Sequence, residues 1–148
     1  MIVIAGVLMG VISLFLPFAK QWKESYSMVG MAKLYALSNS ADWNNDKEAE
    51  MFYKIFVPAA VALIFIFMLI YLIKCIKMKT AGMVVFNILT IAVYEIMKWD
   101  FADRRVIPGA CEKGIAFTFI YIAFAIMIAG CVLRIIEKKK LKNDETGN

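Results

Sequence analysis

The residues with chemistry in them gather around one apolar run. Glu95 stands in "TIAVYEIMKWD", residues 90–100, with Lys98 three positions on and Asp100 beyond it. Residues three apart share a helix face, so Glu95 and Lys98 can pair. Immediately before Glu95 stands Tyr94, and earlier in the run Thr90 and Asn87 lie close to one face with it at 3.6 residues per turn. A polar stripe on a membrane helix has to face other helices or a water-filled cavity, because lipid cannot satisfy it. A later apolar run offers Thr118 and Tyr121 near the same end. Asn87, Thr90, Tyr94, Glu95, Thr118 and Tyr121 are therefore the candidate polar site. One reading is a small vestibule that binds an ion or polar ligand. The other is hydrogen bonding between helices, with Glu95 at the headgroup level paired to Lys98 or Arg104. The second asks less of the residues, since Glu95 can reach water and only Asn87 falls near mid-membrane.

A second candidate is the segment "KWDFADRRVIPGACEK", residues 98–113. Trp99 and Phe101 alternate with Asp100 and Asp103, and Arg104 and Arg105 follow. Aromatics and arginine favour protein interfaces, so Trp99, Asp100, Phe101, Arg104 and Arg105 form a candidate interaction loop. A loop held by its own ion pairs fits equally well. A third candidate is Arg134, Lys138, Lys139, Lys140 and Lys142, just past the last apolar run. Each basic residue beside anionic headgroups contributes about 1 kcal/mol of attraction. The same cluster also serves as an orientation signal. The basic residues lack interleaved stacking aromatics, so no nucleic-acid partner is expected.

Several chemistries are excluded. There is no histidine, which removes the common proton relay and metal ligand. Cys75, Cys111 and Cys131 form no CxxC and no zinc spacing. No metal, no cofactor and no enzymatic activity are expected. Cys111 is expected outside the membrane, where an intermolecular disulfide is its one route to a bond. Small apolar filling is the alternative for all three thiols.

The elements that must hold these residues follow from composition. The chain of 148 residues is 62% hydrophobic, against about 45–50% apolar for soluble domains. Residues 1–19, 55–73, 80–94 and 114–133 carry no charge. A spanning helix needs roughly 20 such residues. The expected fold is an all-α four-transmembrane-helix bundle, with spans near 1–19, 51–76, 80–98 and 114–136 and a polar, frayed tail over 137–148. The whole chain is then one membrane domain, 1–148. The first run lacks a basic leader, and Pro17 occupies the position where cleavage wants a small residue, so it reads as a retained helix ended by Pro17.

Between the first two spans, "SMVGMAKLYALS" places Met28, Met31, Leu34, Tyr35 and Leu37 at helical spacing, a short amphipathic helix in the first outer loop. "NNDKEAE" predicts a helix start capped by Asn45 or Asp46. Pro58 predicts a kink. Gly6, Gly10 and Ser13 on the first span, and Ala125 and Ala129 on the last, are small-residue edges for close helix packing, within one chain or between two. Residues 74–79 and 134–148 hold eight basic and three acidic residues in short segments, whereas 20–54 and 95–113 hold nine of each. Basic density beside the membrane marks the inner side, so both termini are expected in the cytoplasm of a cell-membrane protein.

A span ending "LFLPFA", the stretch "YSMVGMAKLYAL", two spans around a tight basic turn and a last span opening on glycine together resemble small four-span membrane proteins of unknown function from Gram-positive bacteria. The Ile, Lys, Met and Asn content agrees with a low-GC bacterial source. The resemblance implies no activity. A claudin assignment fails: the first outer loop holds Trp22 and Trp43 but no cysteine pair. Four-span glutathione-transferring enzymes and thiol oxidases fail on their absent Arg-x-x-Asn-x-x-Glu and CxxC patterns. The expected function is contact with a protein partner in or on the lipid bilayer, as an accessory subunit, immunity protein or envelope factor. The competing function is an oligomeric channel or transporter.

Overall fold

The computed structural model describes residues 2–38, 46–77 and 79–146, with side chains described through Lys140. Trp43 and Asn45 lie outside the described residues, as does the side chain of Lys142. The chain is 81% helical. Its elements run α1 (Ile2–Ser13), β1 (Pro17–Gln21), β2 (Glu24–Ser27), α2 (Met28–Leu37), α3 (Lys47–Ile76), α4 (Thr80–Asp103), β3 (Glu112–Lys113) and α5 (Ala116–Thr146). Lys47–Ile76, Thr80–Asp103 and Ala116–Lys140 are long and apolar enough to cross a membrane.

The first apolar run is not one long helix. α1 has 12 residues, about 18 Å at 1.5 Å each, which is short of a bilayer core. Beyond it the backbone turns at Leu14–Leu16 and enters β1 at Pro17, where the ring stops a helix and is tolerated as the first residue of a strand. β1 pairs antiparallel with β2 on one side and β3 on the other, an arrangement the alternation-poor sequence does not announce. Ala19 faces Tyr26 and Lys113 in the two ladders. Gly114 closes the junction: its N–H donates to the Phe18 carbonyl at 2.8 Å, and a Cβ there would lie 2.0 Å from the Pro17 oxygen. No side chain fits at that position.

The helices start and stop for readable reasons. Asp46 caps α3 by accepting from the N–H groups of Glu48 and Ala49, both at 3.1 Å. Glu48 and Glu50 follow in the first turn, where the helix dipole favours negative charge. Ser27 caps α2 by accepting from Gly30 at 3.0 Å. α3 continues as helix from Lys47 through Pro58 to Ile76, since Pro58 costs one backbone bond and not the element. α5 also continues, through the segment expected to fray, as far as Thr146.

α1 lies against α5 in opposite sense. A Cβ on Gly6 would meet Ile126 at 3.0 Å, one on Gly10 would meet Met68 and Ala123, and one on Gly130 would meet Val3 at 2.6 Å. The Gly6–Gly10–Ser13 edge is thus consumed inside the chain. Ala125 and Ala129 are not: both are exposed, because Ala123, Met127 and Gly130 form the face that α5 turns to α1. α3 and α4 form an antiparallel hairpin, shown by the Phe67–Phe86 contact at 5.8 Å and the Tyr53–Asp100 contact at 3.4 Å. The core runs along the bundle from Phe18, Phe101 and Phe117 at the sheet end to Tyr71, Cys75 and Cys131 at the basic end.

Candidate functional site

The six residues of the polar stripe separate into two groups, with Thr118 in neither. Asn87, Thr90 and Tyr94 share the buried face of α4. Thr90 donates to the Phe86 carbonyl one turn back, at 2.7 Å, which satisfies its hydroxyl locally. Asn87 lies beside the Cys131 thiol, and Cys131 in turn donates to the Tyr71 hydroxyl at 3.6 Å. Tyr71 donates to the Met127 carbonyl at 2.7 Å. The Asn87 Oδ1 and the Tyr94 hydroxyl are buried without a hydrogen-bond partner. The Tyr94 ring packs edge-on against Phe117, Tyr121 and Phe124.

Glu95 faces the other way. Its carboxylate accepts from the Tyr121 hydroxyl at 2.6 Å and forms an ion pair with Lys98. Lys98 also donates to the Tyr121 hydroxyl at 2.5 Å. The three groups form a closed triangle between α4 and α5, with side-chain exposures of 39% for Glu95 and 33% for Lys98. Of the two partners weighed for Glu95, Lys98 is the one it meets; Arg104 is engaged elsewhere. Thr118 is exposed and lies apart from the buried stripe, because it falls on the outer side of α5 from Ile120 and Phe124.

The interaction loop also divides. Arg104 caps α4 at the sheet end and is enclosed. Its Nε donates to Asp100 at 3.0 Å, its Nη2 pairs with the same carboxylate, and its Nη1 donates to the Tyr35 hydroxyl at 3.2 Å. The guanidinium carbon lies 3.8 Å from the Tyr53 ring centre and 5.4 Å from those of Tyr35 and Phe101. Burial by itself disfavours the charged Arg104, but the Asp100 and Tyr35 contacts outweigh it and leave its pKa raised. Burial also pushes the Tyr35 phenol up, against the opposing pull of Arg104. Phe101 is core. Asp100, Phe101 and Arg104 therefore hold the loop, while Trp99, 68% exposed, and Arg105 face out. Arg105 sits in the left-handed region at φ 54 and starts a wide turn, with the N–H of Ala110 donating back to its carbonyl at 3.0 Å.

Cys111 does not stand exposed in this loop, although its thiol is unbonded. It is buried, and burial raises its thiol pKa, which opposes the surface disulfide that its loop position suggests. Cys75 and Cys131 are free and buried. Among the described residues no three His, Cys, Asp or Glu groups gather as a metal would need. In the basic cluster, Arg134 pairs with Glu137 at 2.7 Å, whereas Lys138, Lys139 and Lys140 are exposed.

Two features have little trace in the sequence. Trp22 is fully exposed at the tip of the β1–β2 hairpin, with φ 54, in a two-residue turn with Lys23. The turn has no Gly or Asn to mark it. An apolar groove of about 790 Å³ opens between the sheet-end halves of α3 and α4, lined by Phe52, Ile55, Ala59, Leu63, Val93 and Ile96 among others. The apolar runs alone do not indicate which helix seams close and which stay open. No family model, no curated protein and no solved structure matches the chain.

Proposed function

We propose that this chain is a non-enzymatic multi-pass membrane protein that works through protein contacts at its sheet end. The observation that supports it most is the division of the 98–113 loop. Asp100, Phe101 and Arg104 are spent on rigidity, and the rigid frame displays Trp99, Arg105 and the hairpin tip Trp22 to the surroundings. Exposed tryptophan and arginine on a pre-ordered frame suit partner binding at low entropic cost. The accessory-subunit, immunity and envelope roles all need such a surface, and none needs a catalytic group.

In this reading the chain crosses a bacterial cell membrane four times. The first crossing is a composite. Val3 packs at Gly130 and Ala19 pairs with Lys113, so residues 3–19 run beside residues 113–130, of which the α5 part, 116–130, rises about 21 Å. Non-helical backbone at such depth is tolerated when protein surrounds it, and Leu14, Phe18 and Ala19 are all buried. The sheet end faces outward and both termini lie inside, with Lys138, Lys139, Lys140 and Lys142 beside anionic headgroups. The test uses introduced thiols, since Cys111 is buried. Glu112→Cys should react with a membrane-impermeant maleimide in intact cells, and Lys139→Cys should react only after lysis. A photo-crosslinker at Trp22 or Trp99 should then yield a discrete protein adduct. Adducts with lipid alone would remove the interaction reading.

An oligomeric channel or transporter is the second reading. It draws on Asn87 Oδ1 and the Tyr94 hydroxyl, which are buried and unpartnered where an interior water or ion could pair with them. The mass of the solubilised complex separates the two. A ring of identical chains favours conduction, and a complex with another protein favours the contact role.

A further inference from the structure

A pocket of about 370 Å³ opens between α1, α3 and α5 at the basic end of the bundle, opposite the sheet. Val3 and Ile4 of α1, Leu72 of α3 and Gly130 of α5 form its deep walls, and Arg134 and Glu137 stand at its mouth. Gly130, Arg134 and Glu137 follow at intervals of four and three, so they share one face of α5. From Gly130 to Glu137 the helix rises about 10 Å, and over that distance the wall changes from apolar to charged. Lys138 lies four residues beyond Arg134 and is exposed, as are Lys139 and Lys140. Residues 134–140 thus hold four basic groups and one acidic group.

An apolar cleft under a cationic rim complements a phospholipid, which has an apolar tail below an anionic headgroup. Basic pockets between membrane helices bind such headgroups. Arg134 suits the phosphate, because a guanidinium presents five donors in a planar fork that matches phosphate oxygens. Arg134 pairs with Glu137 at 2.7 Å and lies beside the Cys75 thiol. The pair is open, and Glu137 is exposed. Glu137 can pass to Lys140, three residues on, when a phosphate takes the fork. The larger groove between α3 and α4 lacks this order, since its one charged wall residue is Glu48.

We propose that this pocket holds one acyl chain of an anionic phospholipid, with the phosphate at Arg134 and Lys138. The site rests on the reading that the chain lies in a bilayer with its basic end at the headgroups, and it holds for either orientation of that end. Reversed labelling at Glu112→Cys and Lys139→Cys would overturn the orientation and leave the lipid site standing.

The test is native mass spectrometry of the full chain in detergent, with phosphatidylglycerol and phosphatidylcholine of matched acyl chains as probes. Phosphatidylglycerol should be retained at least about fivefold more than phosphatidylcholine, the factor that one basic residue beside an anionic headgroup supplies. Arg134→Gln should abolish that preference. Leu133→Trp or Ile76→Trp, each at an exposed wall position, fills the pocket without changing charge and should release the lipid. Lys20→Gln, exposed at the sheet end, should change neither result. Equal retention of the two lipids overturns the proposal. So does a preference that survives Arg134→Gln. Inorganic phosphate is the third probe: binding that depends on Arg134 and is indifferent to both tryptophan variants marks a free-anion site and also overturns it. If Arg134→Gln fails to accumulate, Lys138→Gln should lower the preference and the tryptophan variants the retention, and no change in either overturns the proposal.

Discussion

Two charge networks built from the same parts sit on α4, one turn apart. Asp100 and Arg104 pair four residues apart and take a tyrosine, Tyr35, from another element. Glu95 and Lys98 pair three residues apart and take Tyr121 from another element. Their surroundings differ. The first is enclosed by the Tyr35, Tyr53 and Phe101 rings, with side-chain exposures of 18% for Arg104 and 15% for Asp100. The second is open, at about twice that exposure for each charge. An enclosed pair fixes geometry, because removing one member strands the other in a poor solvent. An open pair leaves its members free to change partners. The same chemistry therefore holds structure where it is enclosed and remains accessible where it is open.

The largest effect should come from breaking the enclosed network. Arg104→Ala leaves Asp100 without its cation, removes the Tyr35 hydrogen bond and empties the space among the Tyr35, Tyr53 and Phe101 rings. A loss of about 3 kcal/mol is expected, at the low end for a broken buried pair because some water reaches it. Denaturant unfolding in detergent measures it. The Asp100→Ala, Arg104→Ala double variant should lose less than the sum of the two single losses, since both remove one interaction. Additive losses would show that the enclosure matters less than the comparison holds.

Cys111 reports the same enclosure from below. Its buried thiol, with a raised pKa, should resist alkylation at neutral pH in the folded chain and react once the sheet end opens. Arg104→Ala should speed that alkylation by about tenfold, following the lower opening energy. Glu95→Gln should leave it unchanged. Equal acceleration by the two substitutions would erase the distinction between the networks.

A smaller effect is expected at Tyr35. Its folded pKa lies above the ordinary value of 10.0, chiefly through burial. The folded state therefore keeps the phenol proton to higher pH than the unfolded chain does. That contribution is complete below about pH 10 and is lost as the pH rises through the folded value. Tyr35→Phe should flatten the alkaline fall in stability relative to the parent chain, and should cost about 1 kcal/mol at neutral pH for the lost bond to Arg104. An unchanged alkaline slope would place Tyr35 outside the enclosure.

The sequence made one class of feature readable and hid another. Asp46 followed by Glu48 and Glu50 announced the start of α3, because a cap and its dipole partners lie within four residues of each other. The spans of α3, α4 and α5 were equally plain as uninterrupted apolar runs. The first run misled, since its apolar character continues through Leu14–Ala19 while its backbone changes from helix to strand. The strand's partner is out of local view: Gly114, nearly a hundred residues away, has no side chain and so lets β1 lie against β3. The small residues misled in the same way. Gly6 and Ala125 carry the same local signal, yet Gly6 lies close against Ile126 and Met127 whereas Ala125 is exposed. Helical phase grouped Asn87, Thr90 and Tyr94 correctly, because one helix fixes their angles. It could not place Thr118, whose side depends on how α5 is rotated against α4.

The smallest expected effect is the one on which the open network turns. Glu95→Gln keeps an acceptor for Tyr121 and for Lys98 but removes the charge. Within one chain the loss should be about 0–1 kcal/mol, the range for an exposed pair, because Lys98 keeps its bond to the Tyr121 hydroxyl and its approach to the ring, 5.3 Å from the centre. Unfolding measured on the isolated chain in detergent should therefore barely move. A small loss at Glu95 beside a large one at Arg104 is what separates an open pair from an enclosed one. If Glu95→Gln instead destabilised the single chain as much as Arg104→Ala, the exposed triangle would be holding α4 to α5, and the two networks would differ in exposure but not in role.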